Sequence, residues 1–327
     1  MYSYKEILKY RGIWMALSIL WIIGYHAQLN IPGLNLILFF GYGGTDIFFF
    51  ASGIGCYYSL TKNDDSLFFF RKRLMRILPA YYLVLPVWLL CKAVLNEMTL
   101  VEALGNIICI GWFARMENQF NWYINTVWMT YLFAPLLVRY VDSTSPVKRR
   151  SVLLLLIVSS VVFWNTELLI AVARVPIFYA GILFAKRSRE NEFLSLRELV
   201  RYGGALILGI GILCVATLIL PYESLWNYGL WWYPFILITP GLCILISVII
   251  QKLSKICNWL VEKLMSLGQY TLELYVAHIS VFSISYRLIE SGTVLNSNLL
   301  WIILIAVSWA IAKILILVEN NVQKRIL

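Results

Sequence analysis

The chain has 327 residues, of which 61% are hydrophobic and only 13% are charged. A soluble domain carries about 25% charged residues, so this composition excludes an ordinary soluble protein and indicates a protein whose solvent is lipid. The net charge of +10 comes from short basic tracts between apolar runs and not from one continuous basic surface, which excludes a nucleic-acid-binding protein.

Ten apolar runs are predicted to be membrane-spanning helices, since a spanning helix needs about 20 mostly apolar residues. They are 12–30, 36–60, 77–95, 122–140, 151–166, 168–185, 202–221, 229–250, 269–288 and 298–318. The first run has no small-residue cleavage site behind it, so we interpret it as a helix that stays in the membrane. Residues 1–327 are expected to form one all-α domain, because no repeat or linker divides them.

The distribution of lysine and arginine predicts that both termini face the cytoplasm. With the N-terminus inside, the inner segments hold 22 of the 27 basic residues, as the positive-inside rule requires. The apolar stretch 100–114 is short, and counting it as a span would move the later basic loops outside. We therefore expect 100–114 to be a re-entrant or interfacial segment on the outer side.

Ionisable side chains inside a membrane span are costly and indicate a functional site. The candidates of this kind in the predicted spans are His26, Asp46, Arg174 and His278. Each also has a plainer interpretation: His26 as an interfacial polar residue, Asp46 as a helix-capping or first-turn acid, and the other two as buried hydrogen-bonding residues.

His26 is the best candidate for a general base, because imidazole accepts a proton near neutral pH. Asp46 is the candidate for the carboxylate that orients it, since a short stretch of chain joins the two runs. In an unbroken helix Asp46 would lie deeper than His26. Gly41, Gly43 and Gly44 are expected to break the helix, so that it restarts near Thr45 at the level of His26.

A basic cluster precedes the third span and is expected at its cytoplasmic mouth. It contains Arg71, Lys72, Arg73 and Arg76. Guanidinium groups bind phosphate through two parallel hydrogen bonds, so this cluster is a candidate site for a phosphorylated ligand. The alternative is an anchor that contacts anionic lipid. The six cysteines form no CxxC pair and the chain has only two histidines, so no metal site is expected.

Several motifs, taken in order, resemble the acyltransferase 3 family of integral membrane acyltransferases. They are WIIGYH with His26, GTDIFFFASG with Asp46, Ser52 and Gly53, RLMRILP with Arg73, Arg76 and Pro79, NWYINTVWMTYLFAP with Trp122, RVPIFYAGILFA with Arg174, and LGQYTLELYVAH with His278. Each motif alone is weak, whereas the ordered set spans nearly the whole chain.

This resemblance implies that an acyl group, usually acetyl, passes from cytoplasmic acyl-CoA to a hydroxyl of an envelope carbohydrate or lipid-linked glycan. Acyl-CoA would be a co-substrate, with no bound cofactor, and the protein would reside in the cell membrane. The family's catalytic histidine corresponds to His26. Its paired arginines correspond to Arg73 and Arg76, near the CoA phosphates, and its serine–glycine pair to Ser52 and Gly53, where helices approach closely.

The chain departs from the family at one position in the first helix. Many members carry an arginine eleven residues before the histidine, and this chain has Met15 there. Arg11 lies four residues earlier. Two other classes therefore stay open: a transporter or flippase for a polar or lipid-linked substrate, and a sensory domain of the same fold that has lost catalysis.

Overall fold

The computed structural model describes residues 2–95, 97–290, 292 and 295–326, with side chains as far as Glu319. These residues are helical apart from turns and one isolated antiparallel bridge between Ser3 and Phe193. The prediction of an all-α fold is confirmed.

The helices follow one another with short connections over the described part of the chain. In order they are α1 (Tyr4–Lys9), α2 (Arg11–His26), α3 (Asn35–Phe39), α4 (Gly44–Lys62), α5 (Ser66–Val94), α6 (Leu100–Ile107), α7 (Trp122–Ser143), α8 (Pro146–Ser160), α9 (Leu169–Val172), α10 (Val175–Glu190), α11 (Leu196–Ile219), α12 (Tyr222–Asn227), α13 (Tyr233–Leu253), α14 (Asn258–Leu267), α15 (Thr271–Glu290) and α16 (Asn298–Ile326).

Seven helical segments of the described chain are long and apolar enough to cross a membrane, which makes this a multi-pass membrane protein. They are Asn35–Lys62, Ser66–Val94, Leu169–Glu190, Leu196–Ile219, Tyr233–Leu253, Thr271–Glu290 and Asn298–Glu319. Each overlaps one predicted span. The other three predicted spans fold as α2 with 16 residues, α7 with 22 and α8 with 15. The count of about ten crossings thus stays a prediction.

The centre of the bundle is the contact between α4 and α10. A Cβ added at Gly53 would collide with the carbonyl oxygen of Phe178, and one at Gly181 would collide with that of Phe50. The two backbones therefore touch, which agrees with the close approach that the family resemblance implied for Gly53. By contrast, α11 and α16 lie at the periphery, since only 17% and 22% of their most apolar stretches are buried.

The predicted break before Asp46 is present. A 3-10 turn at Phe40–Gly43 separates α3 from α4, which begins at Gly44. Asp46 therefore lies in the first turn of α4. The glycines also allow close packing on α2, because a Cβ added at Gly41 would collide with the carbonyl oxygen of Trp21.

The segments predicted to be cytoplasmic lie together at one end of the bundle. Polar contacts join them in the pairs Tyr4–Glu198, Arg139–Asp64, Lys186–Asp142 and Arg149–Glu190. The opposite end joins the outer ends of predicted spans and one predicted outer loop, in the pairs Asn30–Asn298 and Asn165–Asn227. We call the first the basic end, which carries Arg11, Arg73 and Arg76, and the second the histidine end, which carries His26.

The apolar stretch 100–114 does not form a spanning helix. Its helix, α6, has eight residues and is therefore about 12 Å long. Glu102 holds the segment in place by accepting hydrogen bonds from the backbone N–H groups of Thr99 at 2.8 Å and Asn118 at 3.0 Å. The bonds from Thr99 and then Asn118 lower the pKa of Glu102 to about 2.

The glycine contact between α4 and α10 generates a stability prediction. Gly53→Ala and Gly181→Ala should each lower the midpoint of thermal unfolding in detergent micelles, because overpacking a tight contact costs about 1–3 kcal/mol. Gly203→Ala in α11 is the matched control, since nothing lies within 4 Å of an added Cβ there. Equal midpoints for Gly53→Ala and Gly203→Ala would contradict the direct backbone contact.

Candidate active site

Two imidazole rings meet near the histidine end of the bundle. His26 is the last residue of α2, and its Nδ1 lies 3.2 Å from Nε2 of His278 in α15. The ring planes are nearly parallel, at 29°. His278 is fully buried and His26 is partly buried. The Tyr286 hydroxyl donates a hydrogen bond to the backbone carbonyl of His26 and so helps to fix the end of α2.

The hydrogen bonds of this pair determine its tautomers. Nδ1 of His278 lies 3.1 Å from the carbonyl oxygen of Leu274. A carbonyl oxygen can only accept, so this Nδ1 carries the proton and Nε2 of a neutral His278 has a lone pair. Nδ1 of His26 therefore donates to that lone pair. The remaining nitrogen of His26, Nε2, is left unprotonated and can act as a base.

Asp46 is not the partner of His26, and the predicted contact between them is wrong. No hydrogen bond or ion pair joins the two side chains anywhere in the described structure. Asp46 pairs instead with Arg174, with 3.6 Å between Oδ1 and Nε, and both side chains are only 1% exposed. Arg174 directly precedes α10, and α10 packs along α4. This packing places the Arg174 guanidinium, and not the imidazole of His26, beside the Asp46 carboxylate.

Aromatic rings enclose Arg174 on two sides. Its guanidinium lies 5.4 Å from the ring centre of Trp122 and 5.0 Å from that of Trp232. Its Nη1 donates a hydrogen bond of 3.0 Å to the carbonyl oxygen of Ile170. These contacts are cation–π interactions and a helix-end hydrogen bond. The plainer interpretations of Asp46 as a first-turn acid and of Arg174 as a buried hydrogen-bonding residue therefore describe their observed contacts.

A cavity of about 170 Å³ opens at the basic end between α2, α4, α5, α7 and α15. Polar and apolar side chains from five helices line it, and they include Arg11, Met15, Ser52, Gly55, Arg73, Arg76, Tyr123, Tyr131, Thr271 and Tyr275. The candidate residues Ser52, Arg73 and Arg76 thus belong to one site. Arg71 is exposed and does not line this cavity.

Arg76 and Arg73 differ in their partners. Arg76 forms an ion pair with the buried carboxylate of Glu273, and its Nη2 donates a hydrogen bond of 2.9 Å to the carbonyl oxygen of Gln269. The guanidinium of Arg73 lies 5.2 Å from the ring centres of both Phe69 and Tyr131. Arg76 therefore links α5 to α15, whereas Arg73 is held by aromatic faces.

One aromatic layer separates the cavity from the imidazole pair. Tyr275 lines the cavity, and its ring centre lies 5.3 Å from that of His278. Tyr123 packs against the same tyrosine, with 4.7 Å between ring centres. Arg11 and His26 mark opposite ends of α2, which places them roughly 22 Å apart. The cavity and the imidazole pair therefore adjoin each other across Tyr275.

Sequence reasoning missed the position of Arg11. Its side chain lines the cavity together with that of Met15. The signal was present, because residues four apart on a helix share a face. This face borders a cavity because α4, α5, α7 and α15 pack around it, and that packing is not visible in the local sequence.

A family model described as an acyltransferase domain matches residues 16–317. This range contains His26, the paired arginines Arg73 and Arg76, and His278. No curated protein and no solved structure gives a significant match to the chain.

The burial of Asp46 and Arg174 generates a prediction about their role. Asp46→Asn should strongly destabilise the protein, because removing one partner of a buried ion pair costs about 3–5 kcal/mol. The double variant Asp46→Leu with Arg174→Met should recover much of that loss. The measurement is the thermal unfolding midpoint in micelles.

The exposed pair Arg139–Asp64 supplies the matched control, since its side chains are 61% and 77% exposed. Asp64→Asn should leave the midpoint unchanged, because an exposed ion pair contributes little. If Asp46→Asn were as stable as Asp64→Asn, the assignment of Asp46 to Arg174 would be wrong.

Proposed function

Since the chain belongs to the acyltransferase 3 family, we propose that it is a membrane O-acyltransferase that moves an acetyl group from cytoplasmic acetyl-CoA to a hydroxyl. The acceptor is an envelope carbohydrate or a lipid-linked glycan. The reacting groups would meet at the imidazole pair, between a donor that enters from one face and an acceptor that enters from the other.

One observation carries this proposal: an arginine-lined cavity and an unprotonated imidazole nitrogen lie at opposite ends of α2. Tyr275 lines the cavity and packs against His278, the hydrogen-bond partner of His26. A long donor with phosphates at one end and a thioester at the other suits a site with cations at one end and a base at the other. A proton-coupled transporter also uses buried bases, but it has no need of a phosphate-binding cavity at the other end.

The orientation of the bundle follows from its charges. The basic end gathers the loops that hold most of the lysine and arginine residues, so it faces the cytoplasm of a cell-membrane protein with about ten crossings. Acyl-CoA is made in the cytoplasm, and its phosphates would meet Arg73 and Arg76. Arg71, exposed beside them on α5, would attract the anion over a longer range.

The chemistry then follows from the tautomers of His26 and His278. Nε2 of His26 removes the proton from the acceptor hydroxyl as the oxygen attacks the thioester carbonyl carbon. The new C–O bond forms, the C–S bond breaks, and the departing CoA thiolate takes the proton from the imidazolium. Nε2 of His278 accepts the hydrogen bond from Nδ1 of His26 and stabilises the imidazolium while it exists.

Asp46 and Arg174 are assigned to the support of this site and not to the reaction. Their opposite charges compensate each other, so Arg174 has little charge left to stabilise an oxyanion. Trp122 completes the enclosure of Arg174 and has the same supporting role.

Loss of the imidazole base should abolish transfer. In membranes supplied with radiolabelled acetyl-CoA, His26→Ala should transfer no label to glycan, and His278→Ala should lower the rate about 100-fold, because general base catalysis contributes about 10²–10⁴-fold. Both variants should bind CoA with unchanged affinity, since neither residue lines the cavity.

Binding of CoA serves as the control for folding in this experiment. Label transfer by His26→Ala at the wild-type rate would exclude the proposed base. Substrate uptake by the wild-type protein without consumption of acetyl-CoA would favour a transporter.

A further inference from the structure

A second cavity lies at the basic end, apart from the one that Arg11 and Arg73 line. It has a volume of about 630 Å³ and lies between the start of α8, the end of α10 and the start of α11. None of its lining residues belongs to the first cavity. The packing of α10 on α4 separates the two, since α4 lines only the first cavity and α10 only the second. We call this second cavity the α8–α11 cleft.

Basic side chains dominate the lining of the α8–α11 cleft. Six of them line it, against the two carboxylates of Glu190 and Glu198. The six are Arg149, Arg150, Lys186, Arg187, Arg197 and Arg201. An excess of four positive charges in one cleft is unfavourable unless an anion compensates it, because like charges at short range repel each other.

Acidic partners compensate only half of these cations. Three of them form ion pairs, at 3.3 Å for Arg149, 2.9 Å for Lys186 and 2.6 Å for Arg187. The other three take part in no ion pair that joins described side chains: Arg150, Arg197 and Arg201. Arg149 also keeps a buried Nε with no hydrogen-bond partner in that part of the chain. The lining thus offers three uncompensated cations and one unused N–H donor.

The two unpaired cations of α11 lie on a helix face that continues into exposed apolar surface. Arg197 and Arg201 are one turn apart, where like charges destabilise a helix. Gly204 and Leu208 follow at the same helical spacing, so the four residues share one face. Leu208 is exposed, and nothing lies within 4 Å of a Cβ added at Gly204. This face is therefore open from the arginines onward.

The wall formed by α8 has the same order. Arg150 is followed at helical spacing by Leu154 and Val158, and both apolar side chains are exposed. Because α8 packs on α10 and α11 packs mainly on α13, the two helices flank the cleft and do not close it. The cleft therefore has cations at the basic end and exposed apolar side chains further along both walls.

We infer that the α8–α11 cleft binds one anionic phospholipid of the leaflet at the basic end, with its phosphate between Arg150, Arg197 and Arg201 and its acyl chains along α8 and α11. Guanidinium forks match phosphate oxygens through paired hydrogen bonds, and basic pockets between membrane helices recognise lipid headgroups. The bound lipid ties the peripheral helix α11 to α8. This inference does not depend on acyl transfer, because it uses only the cleft and the membrane location of the protein.

A soluble phosphate compound presents the same headgroup chemistry. The lipid is favoured because exposed apolar side chains continue both walls of the cleft, and only 17% of the most apolar stretch of α11 is buried. Acyl chains cover such walls, whereas a small soluble anion leaves them bare. Glycerol 3-phosphate, which has the phosphate without the chains, therefore supplies one arm of the experiment.

The test measures by native mass spectrometry which lipids the full-length protein retains from micelles that contain phosphatidylglycerol and phosphatidylcholine. One phosphatidylglycerol should be retained in preference to phosphatidylcholine. Arg150→Gln combined with Arg201→Gln should weaken this binding about 10- to 100-fold, as expected when charged hydrogen bonds are lost. Lys252→Gln combined with Lys255→Gln is the matched control, because it removes the same charge from exposed residues that do not line the cleft.

A second variant keeps the cations and obstructs the path of the acyl chains. Gly204→Phe should also weaken the binding of phosphatidylglycerol, whereas glycerol 3-phosphate should compete only weakly with this lipid in the wild type. Phosphatidylglycerol should raise the thermal unfolding midpoint of the wild type, since a ligand that binds only the folded state stabilises it. The same lipid should leave the midpoint of the double arginine variant unchanged.

Equal retention of the two lipids by the wild type would overturn the inference. Equal loss of phosphatidylglycerol in the arginine and lysine double variants would also overturn it, since overall charge would then explain the binding. Glycerol 3-phosphate that binds as tightly as phosphatidylglycerol would assign the cleft to a soluble phosphate compound and exclude the lipid. Size-exclusion profiles identify any variant that misfolds, and the lipid preference of the wild type together with Gly204→Phe then decides the question.

Discussion

An ionisable side chain inside lipid is costly unless the protein supplies its partner, and this constraint organises the interior of the bundle. Asp46 is paired with Arg174, His26 with His278, and Arg76 with Glu273. Each pair joins residues far apart in sequence, so each also fixes one helix against another. The polar residues that make the site therefore also hold the fold together.

The same constraint indicates that the polar groups without a partner have a function. Arg11 and Arg73 face one cavity without a carboxylate, and Nε2 of His26 has a free lone pair. These groups of the described chain are therefore available to a ligand. Under the proposed function, their separation along α2 would let one site serve reactants that enter from opposite faces of a membrane.

Much of the fold was predictable because it depends on local properties of the chain. Apolar runs located the helices, and Gly41, Gly43 and Gly44 located the break before Asp46, since glycine disfavours a continuous helix. The pairing of side chains was not predictable in this way. Asp46 was expected beside His26 because the two residues are close in sequence. The packing of α10 on α4 instead places Arg174 beside Asp46. Likewise His278 lies 252 residues from His26, and no local pattern shows that the two rings meet.

The packing of the Tyr123 ring on the Tyr275 ring has a consequence for the membrane as a barrier. A protein that reaches reactants on both faces risks leaking protons and ions, which would dissipate the potential across the bilayer. Tyr275 lines the cavity and its ring packs against His278, so it lies where water or ions from the basic end would approach the histidines. Under the proposed function the acyl group would have to move past the same side chain, so the barrier to ions and the choice of acyl group would depend on one residue.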